Sequence, residues 1–442
     1  MGLEQVTPRE KYFHMGMELS AIAHDMTLHG FPIDPTARER HRIRLTRERD
    51  EAEVEFIELT GFQKVKRGKD HWVSPCRQTA LLYKLFYETY AVEPRKEYYS
   101  RDTGELMVNG NMLQDVADEA EDHHQRKVAA CLLRFRKAAK YLESFIENLP
   151  VLEDGRIHIP WNIYGARTMR WTAPILHQLP KTQAVTLPDG SKKITRQGLR
   201  DICCAPEGWT IIEADKSQLE LRWITLLTGD PPLVEAYRKG IDVHSQNAMD
   251  LMGQPKGMAR DIAKTFVFAD VYGGDPHTSW KQMTPKFPGL QKRLIENCSK
   301  KWRAAHPVIE RYKETQLALA RRQGFIECPL SGLRIEYHRL GGTFRVDRTK
   351  VINTRVQHSG SDIINPETVK VARKLRNGAW LAAMIHDADV VICRDEDVEE
   401  NVNMMLEEMD TTVEYEGRSM RFISEVKTGK NLGDMKDWKK AA

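Results

Sequence analysis

The sequence predicts an α+β protein in which a charged, all-helical region precedes a mixed region of short strands and helices. Three observations carry this. Apolar residues recur at helical spacing up to about residue 150. From about residue 155, short β-rich runs alternate with helical ones. Near the C-terminus two apolar arms, Leu381–Ile385 and Val390–Ile392, flank His386-Asp387-Ala388-Asp389, which is the pattern of a hairpin.

The elements follow in order. Met17, Leu19, Ile22 and Met26 mark one helix face, and Gly30-Phe-Pro-Ile-Asp34 breaks it. The segment 35–58 is rich in Arg and Glu, as a long helix with a solvated charged face would be. Lys64-Val-Lys-Arg-Gly-Lys69 is a basic loop, and helices return at 76–90, 110–122 and 125–148. Thr210-Ile-Ile-Glu-Ala-Asp215 is a buried strand ending in an acid. Residues 230–330 are mostly helical, punctuated by Gly253, Pro276, Pro285 and Pro307; residues 345–442 return to helix, hairpin, helix and strand.

Composition narrows the class. The 442 residues are 41% apolar and 29% charged with a net charge of +4, ordinary for a soluble globular chain and long enough for about three domains. Residues 1–150 hold 23 basic and 25 acidic side chains, so the small positive excess lies in the remainder. Seven cysteines with no Cys-x-x-Cys spacing give no zinc motif and suit reduced thiols in a reducing compartment, hence a cytoplasmic expectation. No run of about 18 apolar residues spans a membrane, and the early Glu4, Glu10 and Glu18 do not suit a transit peptide.

Two constellations carry chemistry. If the strand ending at Asp215 neighbours the hairpin, Asp215 and Asp387 meet at one sheet edge. Two close carboxylates repel unless a cation sits between them. Mg²⁺ favours such oxygen ligands, and a pair of ions can activate a hydroxyl and stabilise a phosphate leaving group. Taken singly, each would equally be a turn aspartate. In Arg260-Asp-Ile-Ala-Lys264-Thr-Phe-Val-Phe268-Ala-Asp-Val-Tyr272-Gly, the four numbered residues are four apart and form a slanting stripe on one helix face. Two cations followed by two aromatics suit a triphosphate followed by a base. A solvated end and a core end of an ordinary amphipathic helix would look the same in isolation.

Together with Asp215-Lys-Ser-Gln-Leu-Glu-Leu-Arg222 and Ile385-His-Asp387, this helix gives three motifs in a fixed order. In them the chain resembles the family A DNA polymerases, the bacterial polymerase I type. The resemblance implies a right-hand polymerase with an antiparallel-sheet palm, helical fingers and helical thumb. It implies a thumb-like domain at 1–155, palm at 156–229, fingers at 230–344 and the rest of the palm at 345–442. Leu19 to Asp34, Ser74-Pro-Cys-Arg-Gln-Thr-Ala80 and Gly429-Lys-Asn-Leu-Gly433-Asp-Met-Lys-Asp-Trp438 extend it more loosely.

The implied activity is template-directed addition of deoxynucleotides to a primer 3′ end with two Mg²⁺ ions. The implied partners are primer–template DNA and deoxynucleoside triphosphates; the resemblance names no processivity factor and no separate nuclease. Asp215 and Asp387 would hold the metals, with Lys264 beside them as a catalytic cation. Arg260, Lys264, Phe268, Tyr272, His244, Glu220 and Gln218 would bind the nucleotide, Glu220 by blocking a ribose 2′-hydroxyl. Arg170 in Ala166-Arg-Thr-Met-Arg170-Trp, Gln357 and Asn353 in Asn353-Thr-Arg-Val-Gln357, His386 and Arg222 would contact DNA. Only about fifteen residues precede the thumb-like segment, so no built-in proofreading domain is expected. A single-subunit RNA polymerase shares part of the pattern, but Glu220 and Phe268 speak against it. A silent DNA-binding homologue would have no need of Asp215, Asp387, Arg260 and Lys264.

Three departures stand out. Lys216 replaces the family's tyrosine, Ala388 replaces its glutamate, and Pro174-Ile-Leu-His-Gln-Leu-Pro180 replaces Pro-Asn-Leu-Gln-Asn-Ile-Pro. The first two are expected to make the metal site less negative, unless Lys216 turns away to a DNA phosphate. Strand alternation would point Asp389 to the opposite face, where it could not replace the missing carboxylate.

Overall fold

The computed structural model describes residues 8–67, 71–100, 102–186, 191–287, 289–337, 339–340, 343–344 and 346–439. The chain forms two compact units, Asp34–Pro150 and a second made of residues up to Ile33 together with Val151 onward. Of the expected basic loop, Val65–Arg67 pair as a short strand with His71–Val73, and Gly68 and Lys69 lie outside the described residues.

Four helices dominate the first third of the chain: α1 Pro8–His29, α2 Pro35–Thr60, α3 Gly110–Glu119 and α4 His123–Leu142. The unit 34–150 is helical. The side chain of Asp34 caps α2 by accepting from the Thr36 and Ala37 amides, and Pro35 opens its first turn. Ala37, His41, Leu45, Ala52 and Phe56 form its buried stripe. Phe56 packs with Phe86, Met112 and Leu113 of α3, and Val128, Leu132 and Phe135 of α4. The charges of 35–58 lie on the other side as pairs within the helix, among them Arg42–Glu39 at 2.5 Å and Arg44–Glu48 at 2.8 Å. That is the solvated face expected of them.

The first helix does not belong to this unit, contrary to the boundary expected at residues 1–155. Leu19, Ala23 and Met26 of α1 are buried in the core of the second unit, with Trp171, Ile212 and Trp223. A short antiparallel pairing, Phe31 with Ile157 and Pro32 with Arg156, ties the end of this segment to the chain that follows residue 150.

The second unit is built on a five-stranded antiparallel sheet. Its strands are β1 Trp209–Lys216, β2 Trp380–Ile385, β3 Ala388–Arg394, β4 Ser424–Gly429 and β5 Lys436–Asp437, in the order β2-β3-β1-β4-β5. The strand nearest the N-terminus is therefore the central one. Asp215 lies opposite Ala388 on β3 and Glu425 on β4, and Glu213 lies opposite Val390 and Lys427. Directly paired residues share a sheet face, so Glu213, Asp215, Glu425 and Lys427 point to one side. On the other, Ile212, Ala214, Val391 and Val426 pack with Val356, Ile363 and Ile364 of a long helix Arg348–Lys374, and with Val402, Met405 and Met409 of Val398–Met409.

Between β1 and that long helix lie α5 Leu219–Thr228, α6 Val243–Met252 and α7 Met258–Val271. Further helices run over Pro231–Arg238, Pro276–Met283, Lys292–Ala305 and Pro307–Gln323. A buried ion cluster joins three of this group. The Asp270 carboxylate accepts from Ser299 Oγ at 3.0 Å, Arg303 Nε at 3.0 Å and Lys313 Nζ at 3.2 Å. Lys313 also donates to the Asp270 carbonyl at 2.7 Å. Among the described residues no helix is long and apolar enough to cross a membrane.

Removing one partner from a buried, hydrogen-bonded charge strands the other. Lys313→Met should therefore cost about 3–5 kcal/mol, measured as a lower urea midpoint at unchanged m-value. A loss below about 1 kcal/mol would show that Arg303 and Ser299 suffice to satisfy Asp270.

Candidate active site

β1 carries Glu213 and Asp215 toward one face of the sheet, and a two-residue turn between β2 and β3 presents Asp387 beside them. His386 occupies that turn with φ of +63°, a conformation few non-glycine residues adopt. The Lys216 amide donates to the Asp387 carbonyl at 3.4 Å, tying the turn to the end of β1. Burial, then the charge of Asp215, then that of Glu220, push the Asp387 carboxyl up to about 7. Asp215 is pushed up by burial and then by Glu213. Lys181, Lys427 and Arg170 act in the opposite sense.

A concentration of carboxylates this costly to ionise is what a bound cation would relieve. Among the described residues no group of three His, Cys, Asp or Glu side chains is arranged around one ion position. Asp215 and Asp387 are the residues that could hold Mg²⁺, an ion that takes one or two carboxylates and fills its remaining positions with water and substrate oxygens.

Arg260, Lys264 and Phe268 lie on α7, and Tyr272 caps its end. Arg260 Nε donates to Asp242 at 2.8 Å and to Ser245 Oγ at 3.2 Å. Burial works against ionising Asp242, but the bonds from Arg260 and Ser245 outweigh it and hold the carboxyl at about 2. Lys264 is exposed one turn further on. The His244 ring is 2% exposed, neither nitrogen has a hydrogen-bond partner, and its centroid lies 5.6 Å from that of Phe268. Burial and then the charges of Lys264 and Arg260 lower His244 to about 4, so the ring is neutral at physiological pH.

Tyr272 closes α7. Burial, and then the nearby Glu220 charge, raise its hydroxyl well above the usual phenol range. Arg170 Nη2 donates to Glu220 at 3.2 Å. Arg170, Glu220, Tyr272 and Asp387 are thus one electrostatic cluster, and Arg260, Lys264, His244 and Phe268 a second. Gln218 precedes α5 in a left-handed conformation, φ +54°, and its Oε1 accepts from the Tyr237 hydroxyl at 3.0 Å. Asn353 and Gln357 sit one turn apart on α8, the long helix Arg348–Lys374; both are half-buried, and the Asn353 Oδ1 has no partner.

Two expectations need correction, those for Arg222 and Lys216. Arg222 is 9% exposed and used up by the fold: Nε donates to the Ser217 carbonyl at 2.9 Å, Nη1 to the Arg421 carbonyl at 2.8 Å, and the guanidinium lies 4.5 Å from the Tyr237 ring centre. These bonds hold the guanidinium within the fold and not on an open face. Lys216 neither lowers the negative charge of the carboxylate face nor reaches a DNA phosphate. Being one residue past Asp215 on a strand, it points the other way into the core. There its ammonium donates to Glu367 at 2.9 Å, to the Phe422 carbonyl at 3.4 Å and to the Met409 carbonyl. Asp389 is fully buried on that same opposite face, as alternation required, accepting from Thr368 Oγ1 at 3.0 Å.

Several residues near the site were not singled out from sequence. Glu213 could have been, being two residues before Asp215 on the same strand. Glu425 and Lys427 gave no local signal, since β4 reaches β1 only through the fold. His177 belongs to the divergent segment 174–180; its Nε2 donates to the Met384 carbonyl at 2.7 Å and its ring lies 5.4 Å from that of His386.

The model of DNA polymerase family A matches residues 45–434. The chain belongs to DNA polymerase family A. This family A chain is 26% identical over 416 residues to DNA polymerase I of Chloroflexus aurantiacus, covering 90% of the chain and 41% of that relative. It is 25% identical over 415 residues to DNA polymerase I of Geobacillus stearothermophilus, covering 89% of the chain and 43% of the relative. It thus spans about two fifths of the length of these curated relatives. In structure it resembles the POL domain of Pol1 from M. smegmatis, in complex with DNA primer-template and dNTP. That match has a TM-score of 0.74 at 18% identity, over 94% of this chain and 70% of the other.

The buried face offers a test in pH. Burial, and then the charge of Glu367, raise the Asp389 carboxyl to about 7, above its value of about 3.9 in an unfolded chain. The folded state therefore holds a proton that the unfolded state has lost. Stability that this group leaves intact at pH 4 is eroded as pH rises through about 7. Asp389→Asn removes the ionisation, so the variant should gain on the parent by a few kcal/mol between pH 5 and pH 8. Chemical denaturation at both pH values reads this directly, and a difference that does not change with pH would refute it.

Proposed function

We propose that this chain is a template-directed DNA polymerase, adding deoxynucleotides to a primer 3′ end with two Mg²⁺ ions held by Asp215 and Asp387. The observation that carries the reading is the pair of buried carboxylates Asp215 and Asp387, both pushed up by burial and the second also by the charge of the first, in the same unit as a helix whose cations and aromatics suit a nucleoside triphosphate. Family membership supports it, as does the neighbouring fold whose complex contains primer-template and dNTP.

The ions, when bound, would activate the primer hydroxyl and neutralise the pyrophosphate leaving group. The protein's own groups do the rest. Arg260, Lys264 and neutral His244 receive the triphosphate, and Lys264 supplies a point charge where negative charge develops. Phe268 offers a stacking face. Glu220, braced by Arg170 and close to Tyr272, stands against C2′ of the sugar and rejects a ribose; Gln218 anchors the start of that helix. Arg170, His386, Asn353 and Gln357 face the primer–template. On this reading 34–150 acts as the thumb, 156–229 with 345–442 as the palm, and 230–344 as the fingers. The seven free cysteines, six of them buried, fit work in a reducing cytoplasm.

Primer extension in Mg²⁺ tests this. Asp215→Ala or Asp387→Ala should slow nucleotide addition about a thousandfold, on the order of 4 kcal/mol of barrier, while primer–template affinity stays within about twofold. Near-parental turnover in either variant would remove the mechanism.

Sugar choice is a separate test. Glu220→Ala should relax discrimination against ribonucleotides by about tenfold or more, with a smaller loss for deoxynucleotides. Unchanged discrimination would place the steric gate elsewhere.

The Ala388 position gives a third. A carboxylate there would stand directly across from Asp215. Ala388→Glu should lower the Mg²⁺ midpoint for extension; an unmoved midpoint would show that the face is already acidic enough through Glu213 and Glu425.

A further inference from the structure

A small cationic pocket opens on the carboxylate face, between β1, β4 and the segments that carry residues 181 and 200. It holds about 180 Å³ and is lined by Lys181, Thr182, Arg200, Glu213, Lys427 and Gly433. Pockets for nucleosides and other drug-sized ligands run to about 300 Å³ and above, so this one suits a compact group. Three cations face one carboxylate. Among the described residues neither Lys181 nor Lys427 makes an ion pair, although Lys427 lies directly opposite Glu213. Arg200 is 5% exposed; its Nε donates to the Leu179 carbonyl at 3.3 Å, while its buried Nη1 has no hydrogen-bond partner. A buried guanidinium with an unmet donor is expensive, and an oxyanion is what would meet it.

We propose that this pocket is an oxyanion site that seats a backbone phosphate of the primer strand next to its 3′ end. The inference rests on the polymerase reading above. Glu213 is two residues before Asp215, so the pocket lies about 6–7 Å along β1 from the carboxylate that would face the primer hydroxyl. Lys181 and Lys427 are near enough for their charges to act on Asp215. The cations suited to the incoming triphosphate are on α7, so a phosphate drawn to this second cluster belongs to the strand already made. Held there, it would fix the 3′ end in front of Asp215 and offset the negative charge of the face.

Phosphoryl oxygens could also come from free pyrophosphate, and the experiment separates the sources. Binding of the whole chain to primer–template is measured with single neutral methylphosphonate linkages placed in turn along the primer. One linkage near the 3′ end should weaken wild-type binding about tenfold. In Lys181→Met/Lys427→Met that linkage should no longer matter, and the log–log salt dependence should be shallower by about one to two units. Lys181→Arg/Lys427→Arg should restore the sensitivity, which separates lost charge from a damaged fold.

Equivalence of all linkages in the wild type, or the same linkage dependence in the Met variant, would overturn the site. So would loss of pyrophosphate inhibition in the Met variant with linkage dependence unchanged, since the pocket would then hold the product. A wild-type protein that extends no primer would instead sink the polymerase reading itself.

Discussion

The site depends on one strand being held in one register. β1 pairs along its length with β3 and β4, and its side chains alternate between a charged face and an apolar one. A slip of one residue would bring Lys216 among the carboxylates and thrust Asp215 toward Glu367. The buried Lys216–Glu367 pair opposes that slip, because the ammonium also satisfies two main-chain carbonyls. Buried ion pairs contribute little net stability against apolar replacements. Here the pair's value lies in which alignment it permits.

On the other face the electrostatics are left unfinished. Carboxylates from β1, from the β2–β3 turn and from β4 crowd together, and burial makes the charges of Asp215 and Asp387 expensive. Two of the arginines are engaged already, Arg260 with Asp242 and Arg170 with Glu220, and those pairs preorganise both guanidinium groups before any ligand arrives. Substrate charge then enters a framework whose reorganisation cost has mostly been met in folding.

Much of this was legible in the sequence because it rests on local signals. A β-rich run ending in Asp215, a two-residue break before Ala388 and four residues spaced by four each specify an element and a direction. What was not legible depends on partners far along the chain. Nothing near residue 216 announces that Glu367 waits behind it, so its charge was assigned to the wrong face. Arg222 sits in a motif that suggests contact with DNA, yet Tyr237 and the Arg421 carbonyl enclose it. The apolar face of α1 was visible, but not which core it would join. Lys427 and Glu425 acquire meaning only from the pairing of β4 with β1. The individual roles of Asn353 and Gln357 rest on resemblance, their spacing alone being that of any helix face.

Gly360 shows how little room the arrangement leaves. A Cβ built there would come within 2.9 Å of the Leu219 Cδ2 atom. Leu219 opens α5, next to Gln218 and Glu220, while Gly360 follows Gln357 by three residues on α8. The two helices are therefore coupled by direct contact at the point where one carries the proposed sugar gate and the other the proposed template contacts. In evolutionary terms position 360 favours a residue no larger than alanine: a methyl group there is met by a small movement of the Leu219 side-chain tip, and a bulkier side chain would press on the start of α5. Residue 360 and Leu219 thus form the seam at which α5 and α8 bear on one another, and the size of the side chain at 360 sets how closely they approach.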